Sequence, residues 1–272
     1  MRLLRLIPEP SQDIPLEGTY LGLELHRQAG AGDILIYANY IASVDGRIAL
    51  RDPVSGEFTV PAAIANDRDW RLYQELAAQA DVMIVSARYM RQLSAGTAQD
   101  LLPVGQAPAY QDLRDWRAAE GLAPQPDVVI VSASLDIPVP ALARFTDRRI
   151  IVATSEDAEA SAVDALRQQG IEVVTAGRQR VEGMALRQAL AARGYRSAYM
   201  IAGPAVHRML LADGAIDRLF LTTRHRLLGG KDFSTIVGDA LPAPIRLTLN
   251  AMYLDVEGGQ HFADYRLGEA LA

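Results

Sequence analysis

Two glycine turns stand at the ends of two successive apolar runs, and both are placed to hold a ligand. In the stretch 197–230 (SAYMIAGPAVHRMLLADGAIDRLFLTTRHRLLGG) an apolar run over 198–202 leads into Gly203 and Pro204. A second run over 219–223 leads to Gly229-Gly230. A residue without a side chain lets backbone N–H groups approach an anion, and the N-terminus of a following helix adds partial positive charge. Pro204 falls at the first helical position, where its missing N–H costs nothing. The two turns are therefore expected to share one cleft, with Gly203, Pro204, Ala205, Val206, Gly229 and Gly230 around a phosphate-bearing ligand. A third such end is the run 39–49, NYIASVDGRIA, which sets Asn39, Ala42, Ser43 and Asp45 behind a strong apolar strand. A carboxylate there either braces its own turn or, with its pKa raised by burial, donates a proton. Asn39 is the candidate for orienting a substrate, with Tyr40 and Tyr89 as alternatives.

These residues need a scaffold that gathers strand ends at one edge. Apolar runs over 34–42, 81–86, 128–132, 149–154, 171–175, 198–202 and 219–223 read as strands. Helical patterns over 64–80, 156–169, 183–193 and 205–213 fall between them. Such alternation implies an α/β fold with a mostly parallel sheet covered by helices on both faces, which binds ligands at the carboxyl ends of its strands. The runs 245–257 and 261–267 flank Gly258-Gly259 with no helix between them, a C-terminal antiparallel hairpin. Residues 92–126, rich in proline and glycine, form a long excursion with one short helix near 110–120. Residues 1–32, with Pro8, Pro10 and Pro15, read as an irregular N-terminal extension to a single domain over 33–272.

Composition narrows the function classes. Half of the 272 residues are hydrophobic, enough for a large core. Acids outnumber bases 33 to 27, for a net charge of -6, with no basic cluster, so nucleic acid is not an expected partner. There is no cysteine, which excludes disulfides and thiol catalysis. His26, His207, His225 and His261 lack metal-ligand spacing, so no metal site is expected. No run of about 18 apolar residues exists to span a membrane, and the start MRLLRLIPEP lacks a secretory pattern, so the expected location is the cytoplasm.

The motif Ser43-x-Asp45-Gly46-Arg47-Ile48-Ala49 resembles the S-L-D-G-[RK]-x-A motif of the riboflavin-biosynthesis pyrimidine reductases, the RibD C-terminal family, whose fold is similar to dihydrofolate reductase. Ala202-Gly203-Pro204 resembles that family's glycine turn, and Asp217 with Leu228-Gly229-Gly230 its D-E-L…P-x-L-L-G-G segment. The resemblance runs over roughly residues 33–268. It implies a homodimeric reductase that binds NADPH and passes hydride to a C=N or C=O group of a small heterocyclic or sugar-linked substrate. It also implies cofactor contacts at Ala42 and Ser43, at the pyrophosphate-binding turn 203–206, and at Ser86, within the counterpart of the family's V-G-A-x-T. Thr154 and Ser155 are candidates for the 2′-phosphate region or, equally, for the cap of the next helix. Arg224 and Arg226 are further candidates for phosphate contacts.

Departures from the family concern the substrate. A helix arginine of the family falls near Ala77, the acid of its glycine turn at Ile201, and its strand lysine at Asn39; the D-x-P-x-L-x-x-R segment has no counterpart in 99–104. A phosphorylated pyrimidine needs charge-assisted donors and acceptors that Ala77 and Ile201 cannot provide. The expectation is a reductase of this family acting on a different, less polar substrate. Two alternatives stand beside it: a true 5-amino-6-(5-phosphoribosylamino)uracil reductase, and a non-catalytic nucleotide-binding protein.

Overall fold

The structure, a computed structural model, describes residues 1–54, 56–98, 101–102, 104–143 and 145–270. The chain opens with β1 (Arg2–Ile7), β2 (Gln12–Pro15), β3 (Leu35–Ser43), β4 (Ala49–Arg51) and β5 (Phe58–Thr59). There follow α1 (Asp67–Ala78), β6 (Val82–Ser86), α2 (Ala87–Ser94), α3 (Gln111–Ala119) and β7 (Asp127–Val131). Next come α4 (Val139–Leu142), β8 (Ile150–Thr154), α5 (Ala160–Gln168), β9 (Glu172–Thr175) and α6 (Gly183–Ala191). The chain ends with β10 (Ser197–Met200), α7 (Pro204–Ala212), β11 (Arg218–Arg224), β12 (Phe233–Ser234), β13 (Ile245–Asp255) and β14 (Gln260–Ala270).

The described strands make a large sheet in the order β2-β1-β13-β14-β11-β3-β10-β6-β7-β8-β9. From β11 to β9 all neighbours are parallel, while β14, β13, β1 and β2 add antiparallel pairs at the other end. This is the expected α/β architecture with its C-terminal hairpin. The chain leaves β3, fills the sheet outward from β6 to β9, then returns β10 into the gap between β6 and β3. Strand order reverses there, and helices on opposite faces leave a crevice above the carboxyl ends.

Alternation along each strand feeds two cores. Tyr37, Met83, Val85, Val128, Ile130 and Tyr199 point to the face covered by α1, α2 and α3. Ile36, Ala38, Ile84, Val129, Ala198 and Met200 point to the other, against Leu186 and Leu190 of α6 and Leu210 of α7. Strands buried on both faces read as unbroken apolar runs, which is why the sequence displays them so plainly.

The N-terminal segment is a correction. Residues 1–32 are not an irregular leader: β1 pairs with β13, and Leu3, Leu16, Tyr20 and Leu25 are buried in the core. Glu75 of α1 accepts bonds from the amides of Gly18 (2.6 Å) and Tyr20 (2.9 Å), and Gln79 accepts from Leu25 N at 2.8 Å. Two other features were not anticipated. Residues 87–94 form α2, capped by the Ser86 side chain on Tyr89 N, and β12, β4 and β5 make a small second sheet. The excursion 92–126 contains α3 as expected, although Gln99, Asp100 and Pro103 of its compared segment lie outside the described residues. No helix among the described residues is long and apolar enough to cross a membrane.

Candidate functional site

A cleft of about 1000 Å³ opens at the strand reversal. Its floor is Asn39, Tyr40 and Ile41 of β3; one wall is α1 with Asp69, Trp70 and Tyr73, and another is the turn 201–204 that leads into α7. Ser86, Arg88 and Tyr89 contribute from the start of α2, and Ile48, Phe58 and Ser234 from the small sheet across the mouth.

Of the residues singled out by sequence, Asn39, Ser86, Gly203 and Pro204 line this cleft. Gly203 is the N-cap of α7 with φ -68° and ψ 177° and makes no side-chain cap bond. A Cβ built on it would meet nothing within 4 Å, so the space above the turn is open. The carbonyl of Gly203 accepts from Val206 N and His207 N, while Ala205 N has no recorded acceptor within the protein. The Ala205 amide on an open helix N-terminus is a site where a phosphate oxygen could be held.

The other predicted positions lie elsewhere. Gly229 and Gly230, at φ +67° and +91°, turn toward Asp45 and do not line the cleft, so the two glycine turns do not share it. Ala42 and Ser43 are buried at the end of β3 and Val206 packs into the core under α7, while Ala205 is exposed beside the turn without lining the cleft. Thr154 and Ser155 are buried at 1% and 4% exposure, and α5 starts beyond them with Glu159 as its N-cap, so they cap no helix. His207 is wholly buried: its Nδ1 donates to the Ile236 carbonyl at 2.7 Å, and burial lowers its pKa to about 4. Arg224 is held by the Gly258 carbonyl.

Asp45 is a brace, which corrects its assignment as a catalytic group. The Ser43 hydroxyl and the Gly229 amide (2.8 Å) donate to its carboxylate, Leu228 N adds a bond at 3.2 Å, and Arg47 pairs with it at 2.8 Å. Those bonds, the Ser43 hydroxyl first, lower its pKa to about 2. A group so firmly ionised accepts bonds and does not donate protons near neutrality.

The acid that sequence reasoning passed over is Asp69. It sits in the first turn of α1 beside Trp70, and its Oδ1 is sealed from solvent without a hydrogen-bond partner. Burial raises its pKa to about 6 against the opposing pull of the Thr222 hydroxyl and the Arg224 guanidinium. Trp70 and Tyr73 stack with rings 4.7 Å apart and 4° from parallel on the same wall. In the sequence, Asp67 and Asp69 are the acids expected in any first helical turn, where they complement the dipole. Nothing in spacing alone separates Asp69 from that role.

The family positions that carry substrate charge elsewhere are spread over the site. Asn39 and Ile201 line the cleft, whereas Ala77, near the end of α1, is fully buried in the core. The Gly203 turn, the α1 wall with Asp69 and the β3 floor with Asn39 line one cleft.

Comparisons with known proteins agree with this geometry. Residues 35–258 match the model of the RibD C-terminal domain. A pyrimidine reductase-like protein of Corynebacterium diphtheriae superposes with TM-score 0.64 at 19% identity, covering 94% of this chain and 100% of that one. RibD of Acinetobacter baumannii gives 0.61 at 17% identity, covering 87% of this chain and 58% of its own. A riboflavin biosynthesis reductase of Saccharomyces cerevisiae gives 0.60 at 13%, covering 92% and 99%. No curated protein matches by sequence. With its strand order, its open glycine turn and a family match over most of its length, the chain belongs to the RibD C-terminal domain family.

Proposed function

We propose that the chain is an NADPH-dependent reductase that delivers hydride to a C=N or C=O group of a small heterocyclic substrate other than the standard phosphorylated pyrimidine. The observation that carries this reading is the cleft itself, where the open Gly203 turn and a carboxyl of raised pKa face one volume. When bound, the dihydronicotinamide supplies the hydride, and the protein has to bind, orient and shield it.

Gly203 and the Ala205 amide hold the pyrophosphate on the α7 N-terminus, and Arg88 adds positive charge at the start of α2. Asn39 orients the substrate from the floor. Asp69 holds the proton that the reduced group takes up: an acid with a pKa near 6 keeps a usable protonated fraction at neutral pH yet gives the proton up readily. Asp45 and Gly229 fix the end of β3 so that Asn39 keeps its place.

Calorimetric titration with NADPH and NADH tests the reading. Binding of NADPH is expected below about 100 μM, or roughly 5 kcal/mol or more of affinity. If neither nucleotide binds below about millimolar, the reductase assignment is wrong.

A further inference from the structure

We infer that His225 and His261 form a binding site for a divalent transition-metal ion of the zinc and copper class, outside the cleft and independent of the reductase reading.

His225 follows the end of β11 and His261 belongs to β14, 36 positions apart in the chain, so no short-range spacing announces them. The fold sets the two rings side by side, with centroids 5.5 Å apart and His225 Nε2 3.3 Å from His261 Nδ1. That separation is long for a hydrogen bond, whose usual range is roughly 2.7–3.2 Å. It matches the bite of a tetrahedral metal, because two nitrogens about 2.0–2.1 Å from one ion stand about 3.3 Å apart. A hydrogen bond would use the lone pair of one ring, whereas a metal takes both.

The backbone holds the pair in place before any ion arrives. Thr223 pairs with His261 and Arg224 with Gln260 in the β11–β14 ladder, and His225 N donates to the Gly259 carbonyl at 2.9 Å. Binding therefore has little chain order to impose. Phe262 turns into the α1 core, so its neighbour His261 turns to the other face of the sheet, as does the opposed Thr223. Arg224 falls on the face of Phe262 and is held by the Gly258 carbonyl, with the sheet between its guanidinium and the imidazoles.

His225 is exposed and His261 half-buried, which leaves an ion a path from solvent. Burial and the neighbouring ring hold the His261 pKa below the ordinary imidazole value, so its lone pair is available at neutral pH. No other ligand set competes for such an ion. The chain has no cysteine, and His26 and His207 are 7% and 0% exposed. Among the described residues no group of three or more His, Asp or Glu could hold a metal, so the remaining coordination positions fall to water. Two imidazoles suit Zn²⁺, Ni²⁺ or Cu²⁺ and not Mg²⁺ or Ca²⁺, which take oxygen ligands.

The test is calorimetric titration of the full, untagged chain with ZnCl₂. One ion per chain is expected to bind with a Kd of about 10 μM, and Cu²⁺ at least about tenfold more tightly. Zinc at about 100 μM is expected to raise the melting temperature by about 3 °C. His225→Ala and His261→Ala are each expected to weaken binding at least about tenfold and to abolish that rise, while MgCl₂ and CaCl₂ bind neither the variants nor the wild type. Electron paramagnetic resonance of the chain at half an equivalent of Cu²⁺ is expected to show coupling to two nitrogens. Failure of Zn²⁺ to bind below about millimolar, unchanged affinity in either variant, or coupling to a single nitrogen overturns the inference. Because His225 is exposed, a metal-free melt of His225→Ala at the wild-type temperature shows that its loss of binding is not a loss of fold.

Discussion

Asp45 and Asp69 carry the same side chain into opposite settings. Four donors hold Asp45 ionised, while Asp69 is half-buried with its Oδ1 sealed and unpaired, so one aspartate braces a turn and the other resists ionisation. The groups facing Asp69 are the Thr222 hydroxyl and Arg224, which favour its ionised form, and the buried phenols of Tyr199 and Tyr20; burial outweighs the first two. Its folded pKa of about 6 lies above the ordinary 3.8, so between those values the folded chain binds more protons than the unfolded one. Stability from this group therefore falls as pH rises from about 4 to about 6. Asp69→Asn is expected to melt at or above the wild-type temperature at pH 7, yet to lose about 10²–10⁴-fold in turnover. Wild-type turnover should decline above pH of about 6, and a flat profile there would remove Asp69 from proton transfer. Gly203 makes a cleaner binding test. Its φ of -68° suits any residue and its Cβ direction is open, so Gly203→Leu should fold normally while displacing the pyrophosphate. A loss of at least about tenfold in NADPH affinity, measured by calorimetry, is expected; unchanged affinity would place the phosphates elsewhere.

At the scale of elements, legibility followed burial. β3, β6, β7, β8 and β10 were readable because both faces are covered and most of their residues are apolar. β4, β5 and β12, two or three residues long, have no such signature, and they owe their existence to one another and to the cleft mouth. The Gly203 turn was readable because Gly-Pro after a buried strand has one geometric meaning. Asp69 was not, since its environment comes from Thr222 and Arg224, more than a hundred residues away in the chain. Long-range polar pairing also fastens the hairpin. Arg218 of β11 and Asp264 of β14, 3% and 0% exposed, form a two-pronged pair, and Asn250 Nδ2 adds a bond to Asp264 at 2.7 Å. Removing one partner leaves a buried, uncompensated charge. Asp264→Ala is expected to cost about 3–5 kcal/mol in urea unfolding, whereas Arg218→Met with Asp264→Leu together should cost much less. Equal losses in the single and double variants would mean that packing, not charge, holds this joint.

For the whole molecule, the first 27 residues belong to the same core as the cleft. β1 extends the sheet beyond β13, and the segment then crosses to α1, where Glu75 and Gln79 bind its backbone. Tyr20 lies 4.9 Å from Phe220 of β11, so the segment packs against the strand that pairs with β3 of the cleft floor. Burial of Leu3, Leu16 and Leu25 alone is worth about 5–9 kcal/mol, against a typical total stability of about 5–15. Removal would also strip Glu75, 0% exposed, of the three amide donors Gly18, Tyr20 and Leu21 and leave Arg71 as its main partner. A chain lacking residues 1–27 is therefore expected to lose its cooperative thermal transition and its NADPH binding together, seen by circular dichroism and calorimetry. Should the shortened chain melt cooperatively and still bind the nucleotide, the segment would be an appendage on a core complete from β3 onward. The bonds from Glu75 and Gln79 would then serve only to dock it.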